Sequence, residues 1–131
     1  PKSMNIRQLT GHIAELPSWI KLVMNTDELD FSKEPYTSPE INNTNELIQL
    51  FEKHLAEGQQ ALENADEALL DKPWTLRDGA QIFNTEPKAD VIRMSLSQII
   101  HHRAQLGVFL RLLDVPIPGS YGPSADDNSF H

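Results

Sequence analysis

At 131 residues, with 39% hydrophobic residues and a formal net charge of −8, the chain has the size and composition of one globular domain. An acidic balance without a run of Lys or Arg lacks the positive footprint of a nucleic-acid binder, so DNA and RNA are excluded as expected partners. The absence of cysteine rules out disulfides, thiolate metal sites and a cysteine nucleophile, so any metal must be held by nitrogen and oxygen.

No segment approaches the roughly 18 apolar residues of a membrane span, and the expectation is a soluble, cytoplasmic protein with no membrane partner. The opening "PKSMNIRQL" is neither an initiator methionine nor a secretory signal, which suggests that residues upstream are absent.

From about Asn5 to Met24 the apolar residues Ile6, Leu9, Ile13, Leu16, Ile20 and Val23 recur at helical spacing. Pro17 lies inside that run, and its missing N–H predicts a bend or a restart. Residues 25–43 are polar and hold two prolines, which reads as a long connection. Asn43 or Thr44 then caps a second helix expected to run to about Leu70, with Leu47, Phe51, Leu55, Leu62, Ala65 and Leu69 on one face. In "WTLRDGAQIF" the Asp78-Gly79 pair between apolar residues predicts a small β-hairpin. A third helix is expected from Lys88 to about Leu113, ended by the proline- and glycine-rich "DVPIPGSYGPSADDNSF".

The doublet His101-His102 lies within the third helix. At 100° per residue and with His102 at zero, Val91 and Phe109 fall at about −20°, Leu113 at about +20° and Gln98 at about −40°, whereas His101 falls at about −100°. His102 therefore points inward and His101 sits at the edge. On the first helix His12 is likewise central to the apolar face, with Glu15 at about −60°.

A buried imidazole needs a hydrogen-bond partner or a metal. Two inward histidines on different helices of a small bundle suggest a divalent ion between them, zinc or nickel first among those that suit imidazole. Gln98, one turn before His102, is positioned as a weaker third ligand, and Glu15 is the nearest carboxylate, as a ligand or as a base behind the ligands. The bland alternative is a hydrogen bond from Gln98 to His102, with His12 satisfied by water. Trp19 and Trp74 read as anchors of core and hairpin, His54 as a partly exposed edge residue, and His131 as the chain end.

The stretches "LTGHIAELPSWI" and "HHRAQLGVFLRLLDVPIPGSYGPS", with the hairpin between them, resemble the DinB/YfiT-like superfamily over most of the chain. That resemblance implies an all-α, up-down four-helix bundle with a small β-hairpin, forming a single domain over residues 1–131 whose first helix is missing ahead of Pro1. It also implies a divalent metal held by three histidines. By position His12 matches the first ligand and His102 the third, while Gln98 stands where the second histidine belongs. His101 matches an extra histidine of some members, and with Glu15 it is a candidate to support the ligands from behind. No residue is assigned a catalytic role.

The implied activity is thiol transfer, hydrolysis or isomerisation of a small molecule, with a low-molecular-weight thiol as partner. Homodimerisation is also implied, with Met94, Ile100 and Val108 as candidate contacts. The other reading is a non-catalytic helical bundle that binds metal or a small ligand weakly, because Gln98 replaces a histidine.

Overall fold

The computed structural model describes residues 2–129. Helix α1 (Ile6–Glu15) starts at a capping box: the Asn5 side chain accepts from the Gln8 amide, and the Gln8 side chain accepts from the Asn5 amide. Pro17 ends it, and α2 (Ser18–Asn25) restarts at once, as the missing N–H requires. The first helix is thus two helices sharing one buried face of Leu9, Leu16, Ile20 and Val23.

Residues 26–43 are not purely a connection. Strand β1 (Glu28–Asp30) lies within them and pairs in parallel with β2 (Pro73–Asp78), which pairs antiparallel with β3 (Gln81–Pro87). This three-stranded sheet, ordered β1-β2-β3, overturns the expected all-α bundle. Among the described residues strand makes up 12% and helix 52%, and the fold is α+β. Glu-Leu-Asp is too short and too polar to announce a strand by alternation, and its pairing is set by tertiary contacts.

Those contacts converge on Asp30, only 6% exposed. Its Oδ1 accepts from the Gly79 amide at 2.8 Å, from the Ser32 amide at 3.1 Å and from the Ser32 hydroxyl at 2.7 Å. These donors, led by the Gly79 amide, hold its carboxyl far below the usual carboxylate range. The hairpin turn slides by one residue from its expected place: Asp78 pairs with Gln81, so the loop is Gly79-Ala80, and Gly79 carries a φ of +55°.

Helix α3 (Thr44–Glu63) is capped by Asn43, whose side chain accepts from the Glu46 amide. It stops short of Leu70. The Asn64 amide group bonds back to the Gln60 carbonyl, and Asp66 caps a separate 3₁₀ turn, Glu67–Leu69. The expected apolar face is also rotated: Leu55 and Leu62 are exposed, at 44% and 40%, and Gly58 is buried. The reason is steric, since a Cβ on Gly58 would lie 2.9 Å from the Pro17 carbonyl oxygen and 3.2 Å from Ile20 Cβ.

Helix α4 (Lys88–Leu112) matches its expected span to within a residue. Helices α1 and α2 pack against both α3 and α4. The core joins Ile20, Val23 and Met24 of α2 to Trp74 of β2 and Val91 and Ile92 of α4. Trp74 donates its indole N–H to the Thr26 hydroxyl at 3.0 Å, and the ring meets Trp19 edge-on at 5.9 Å. The buried Lys88 ammonium donates to the Thr26 carbonyl at 2.6 Å and faces Asp27 at 3.2 Å. Among the described residues, no helix is long and apolar enough to cross a membrane.

Two outcomes follow. Gly58→Ala should gain up to about 1 kcal/mol of helix propensity but lose about 1–3 kcal/mol to overpacking against Pro17, a net loss visible as a lower denaturant midpoint. Because the folded carboxyl of Asp30 titrates far below its unfolded value of about 3.9, its contribution is complete above that pH and declines as pH falls below it. Asp30→Asn should therefore lower the melting temperature at pH 7 and flatten its further fall between about pH 4 and 2, measured by thermal denaturation across pH.

Candidate functional site

The sequence around His12 serves three purposes within five residues. Gly11 is buried, and a Cβ there would meet Ile41 Cδ1 at 3.3 Å and Pro39 Cγ at 3.5 Å, so its bare backbone lets the loop after β1 lie on α1. His12 faces α4. Glu15, one turn on, reaches back: its Oε1 is 2.6 Å from His12 Nδ1. Both side chains are largely enclosed, at 19% and 13% exposure.

Across the helix pair, the His12 and His102 rings stand edge to face with centroids 4.8 Å apart. His102 Nδ1 is 2.9 Å from Gln105 Oε1, one turn further along α4. His101 lies exposed at the side, its ring 5.0 Å from that of His102, as the helical phase predicts.

Each inward imidazole thus donates Nδ1–H to an oxygen on its own helix, which leaves Nε2 as the basic nitrogen. This differs from the bland arrangement considered from the sequence. Gln98 is half-buried on the preceding turn of α4, but its amide has no hydrogen-bond partner among the described residues, and Gln105 takes the place at His102.

Two imidazoles sharing an ion at about 2.0–2.1 Å from each nitrogen have ring centres about 5 Å apart, close to the separation found. The ring spacing matches that of two nitrogen ligands, and equally that of an edge-to-face ring contact. A third strong ligand is lacking: among the described residues no group of three or more His, Cys, Asp and Glu side chains is disposed to hold a metal. His101 and Glu15 therefore do not complete a set with the inward pair. Gln98 remains the neutral oxygen donor on the adjoining turn.

No family model and no curated protein matches the chain.

A cleft of about 420 Å³ opens beside His102 and Gln105, walled by Leu9, Val108, Phe109 and Met4. A second, larger cavity of about 660 Å³ lies on the opposite face of α4, between Ile100, Arg103 and Gly107 and the C-terminal segment around Ile117 and Tyr121. That segment is tied down by Arg111, whose guanidinium is 2.6 Å from Asp126. The pairing lowers the Asp126 carboxyl and raises Arg111 relative to their ordinary values. Tyr121 is 79% exposed and borders this back cavity. His54 is half-buried and donates Nδ1–H to the Ala14 carbonyl at 3.2 Å. His131 lies outside the described residues.

Two residues of the site carried no assignment from sequence. Gln105 was accessible in principle, being three residues after His102 on the same side of the helix. Tyr36 was not: it sits in the loop between β1 and α3, yet its hydroxyl donates to Glu15 Oε1 at 2.7 Å. The residue is 59% exposed; partial desolvation of its hydroxyl, reinforced by the carboxylate it faces, raises its pKa above the usual tyrosine value.

In the metal-free protein, the neutral forms of His12 and His102 should both be Nδ1–H tautomers. Long-range ¹H–¹⁵N correlation spectra of the side chains measure this directly.

Proposed function

We propose that His12 and His102 bind a divalent transition-metal ion, zinc or nickel, through their Nε2 atoms, and that the site serves a small-molecule reaction of the thiol-transfer, hydrolytic or isomerising type. The single observation that carries this reading is the facing pair of imidazoles, each oriented by an oxygen acceptor at Nδ1. In this reading Gln98 supplies the third, weaker donor, with its amide uncommitted to any neighbour among the described residues. The ion supplies Lewis acidity, acidifying a thiol or water and polarising a carbonyl.

The chain's own residues hold and shape the site. Glu15 fixes the His12 ring and its tautomer, Gln105 does the same for His102 with a neutral acceptor, and Leu9, Val108 and Phe109 offer an apolar wall to a substrate. His101, exposed beside His102, is the nearest group able to exchange protons with solvent at the rim. The resemblance to the DinB/YfiT-like superfamily points to the same class of chemistry, with a low-molecular-weight thiol as partner. A cysteine-free chain suits the cytoplasm, and the exposed Met94, Ile100 and Val108 suit contact with a second copy.

A second reading is favoured by the lack of a third imidazole or carboxylate ligand among the described residues: a non-catalytic protein that binds metal or a small ligand weakly. Elemental analysis of protein purified without added metal separates the two. Near-stoichiometric zinc or nickel, lost in His12→Ala, is the expected result for the enzyme. Gln98→His should tighten binding by about tenfold or more, because imidazole replaces a neutral amide. Metal found only in Gln98→His would identify the weak binder.

A further inference from the structure

We propose that Tyr36 is a positioning residue for the metal ligand His12, acting through Glu15, so that docking of the loop between β1 and α3 sets the metal affinity of the site. This rests on the metal-binding reading above. The juxtaposition is specific: one carboxylate oxygen, Glu15 Oε1, receives His12 Nδ1–H at 2.6 Å and the Tyr36 hydroxyl at 2.7 Å. Tyr36 is 21 residues from Glu15 in sequence, so the contact exists only when the loop lies against α1.

Several features hold the loop there. At its start, the Lys33 and Glu34 amides bond to the Asp30 carbonyl, and the Asp30 side chain ties Ser32 to the hairpin turn. At its end, Asn42 and Asn43 are joined to Glu46 at the first turn of α3. In between, Pro39 and Ile41 rest on the bare backbone of Gly11, the residue before His12. The loop is thus pinned at both ends and seated next to the histidine.

The physical consequence follows from the shared oxygen. Without Tyr36, Glu15 loses one of two donors that fix its rotamer, and a freer carboxylate holds the His12 ring less firmly in the Nδ1–H tautomer. Partners one step behind a metal ligand change affinity by about 10–100-fold when removed. Glu15→Ala should fall in that range, and Tyr36→Phe, one bond further out, should cost roughly threefold to tenfold.

The test is a double-mutant cycle on the full chain, reading zinc affinity by competition with a chromophoric chelator and the His12 tautomer by side-chain ¹⁵N NMR. Tyr36→Phe is expected to weaken zinc binding, to populate the Nε2–H tautomer of His12 in the metal-free protein, and to add no further loss in a Glu15→Ala background. Thermal melts establish that each variant is folded. The proposal is overturned if Tyr36→Phe leaves affinity and tautomer unchanged, or if its penalty persists undiminished in Glu15→Ala. Should the unaltered protein bind no zinc, the metal reading falls by itself, and the tautomer populations still decide whether Tyr36 positions His12.

Discussion

The approach of α3 to the break between α1 and α2 is the constraint on which the architecture depends. Pro17 interrupts the first helix, and its buried carbonyl, which accepts from the Ile20 amide, lies against α3 at Gly58. Gly58 has no side chain to obstruct it. That contact fixes the rotation of α3, turning Leu55 and Leu62 outward and seating His54 on the Ala14 carbonyl. With α3 lodged on one side, α1 and α2 present their other side to α4, and His12 meets His102 there.

The sheet does a different job. It adds little to the apolar core beyond Trp74, whose indole and the Lys88 ammonium both end on Thr26. Three separated pieces of chain, the end of α2, the start of β2 and the start of α4, thereby share one residue as a junction. Asp30 forms a second junction, at the far end of β1, where a carboxylate gathers the hairpin turn and the following loop. The three-residue β1 is secured by these polar knots as well as by its own ladder.

What the sequence made legible was periodicity. The spans of α1, α2 and α4, the restart at Pro17, the hairpin and the inward phase of His12 and His102 all follow from spacings of two or 3.6 residues and from proline or glycine. The misses share a cause. Strand β1 has three residues and one apolar side chain, too few to set a period, and the buried face of α3 departs from its apolar spacing because a buried glycine carries no hydrophobic signal. At the site, the contacts within one helix turn were accessible, but Tyr36 comes from a loop whose path depends on Gly11, Pro39 and Ile41 meeting in space.

The anchor at the start of α4 has a bearing on the histidine doublet. Lys88 is locked to Thr26, and His102 follows 14 positions later on an unbroken helix, a lever of about 21 Å. Over that distance the helix works as a vernier, and the identity of the inward imidazole is a matter of counting. One residue added between the anchor and the doublet would rotate the far end by about 100° and bring His101 into the place of His102. It would also carry Ser97 into the place of Gln98, while Ala104 replaced Gln105 as the acceptor behind the ring. Tandem histidines therefore do not make the site tolerant of such slippage, because the oxygen donors that orient and supplement the inward ring are single.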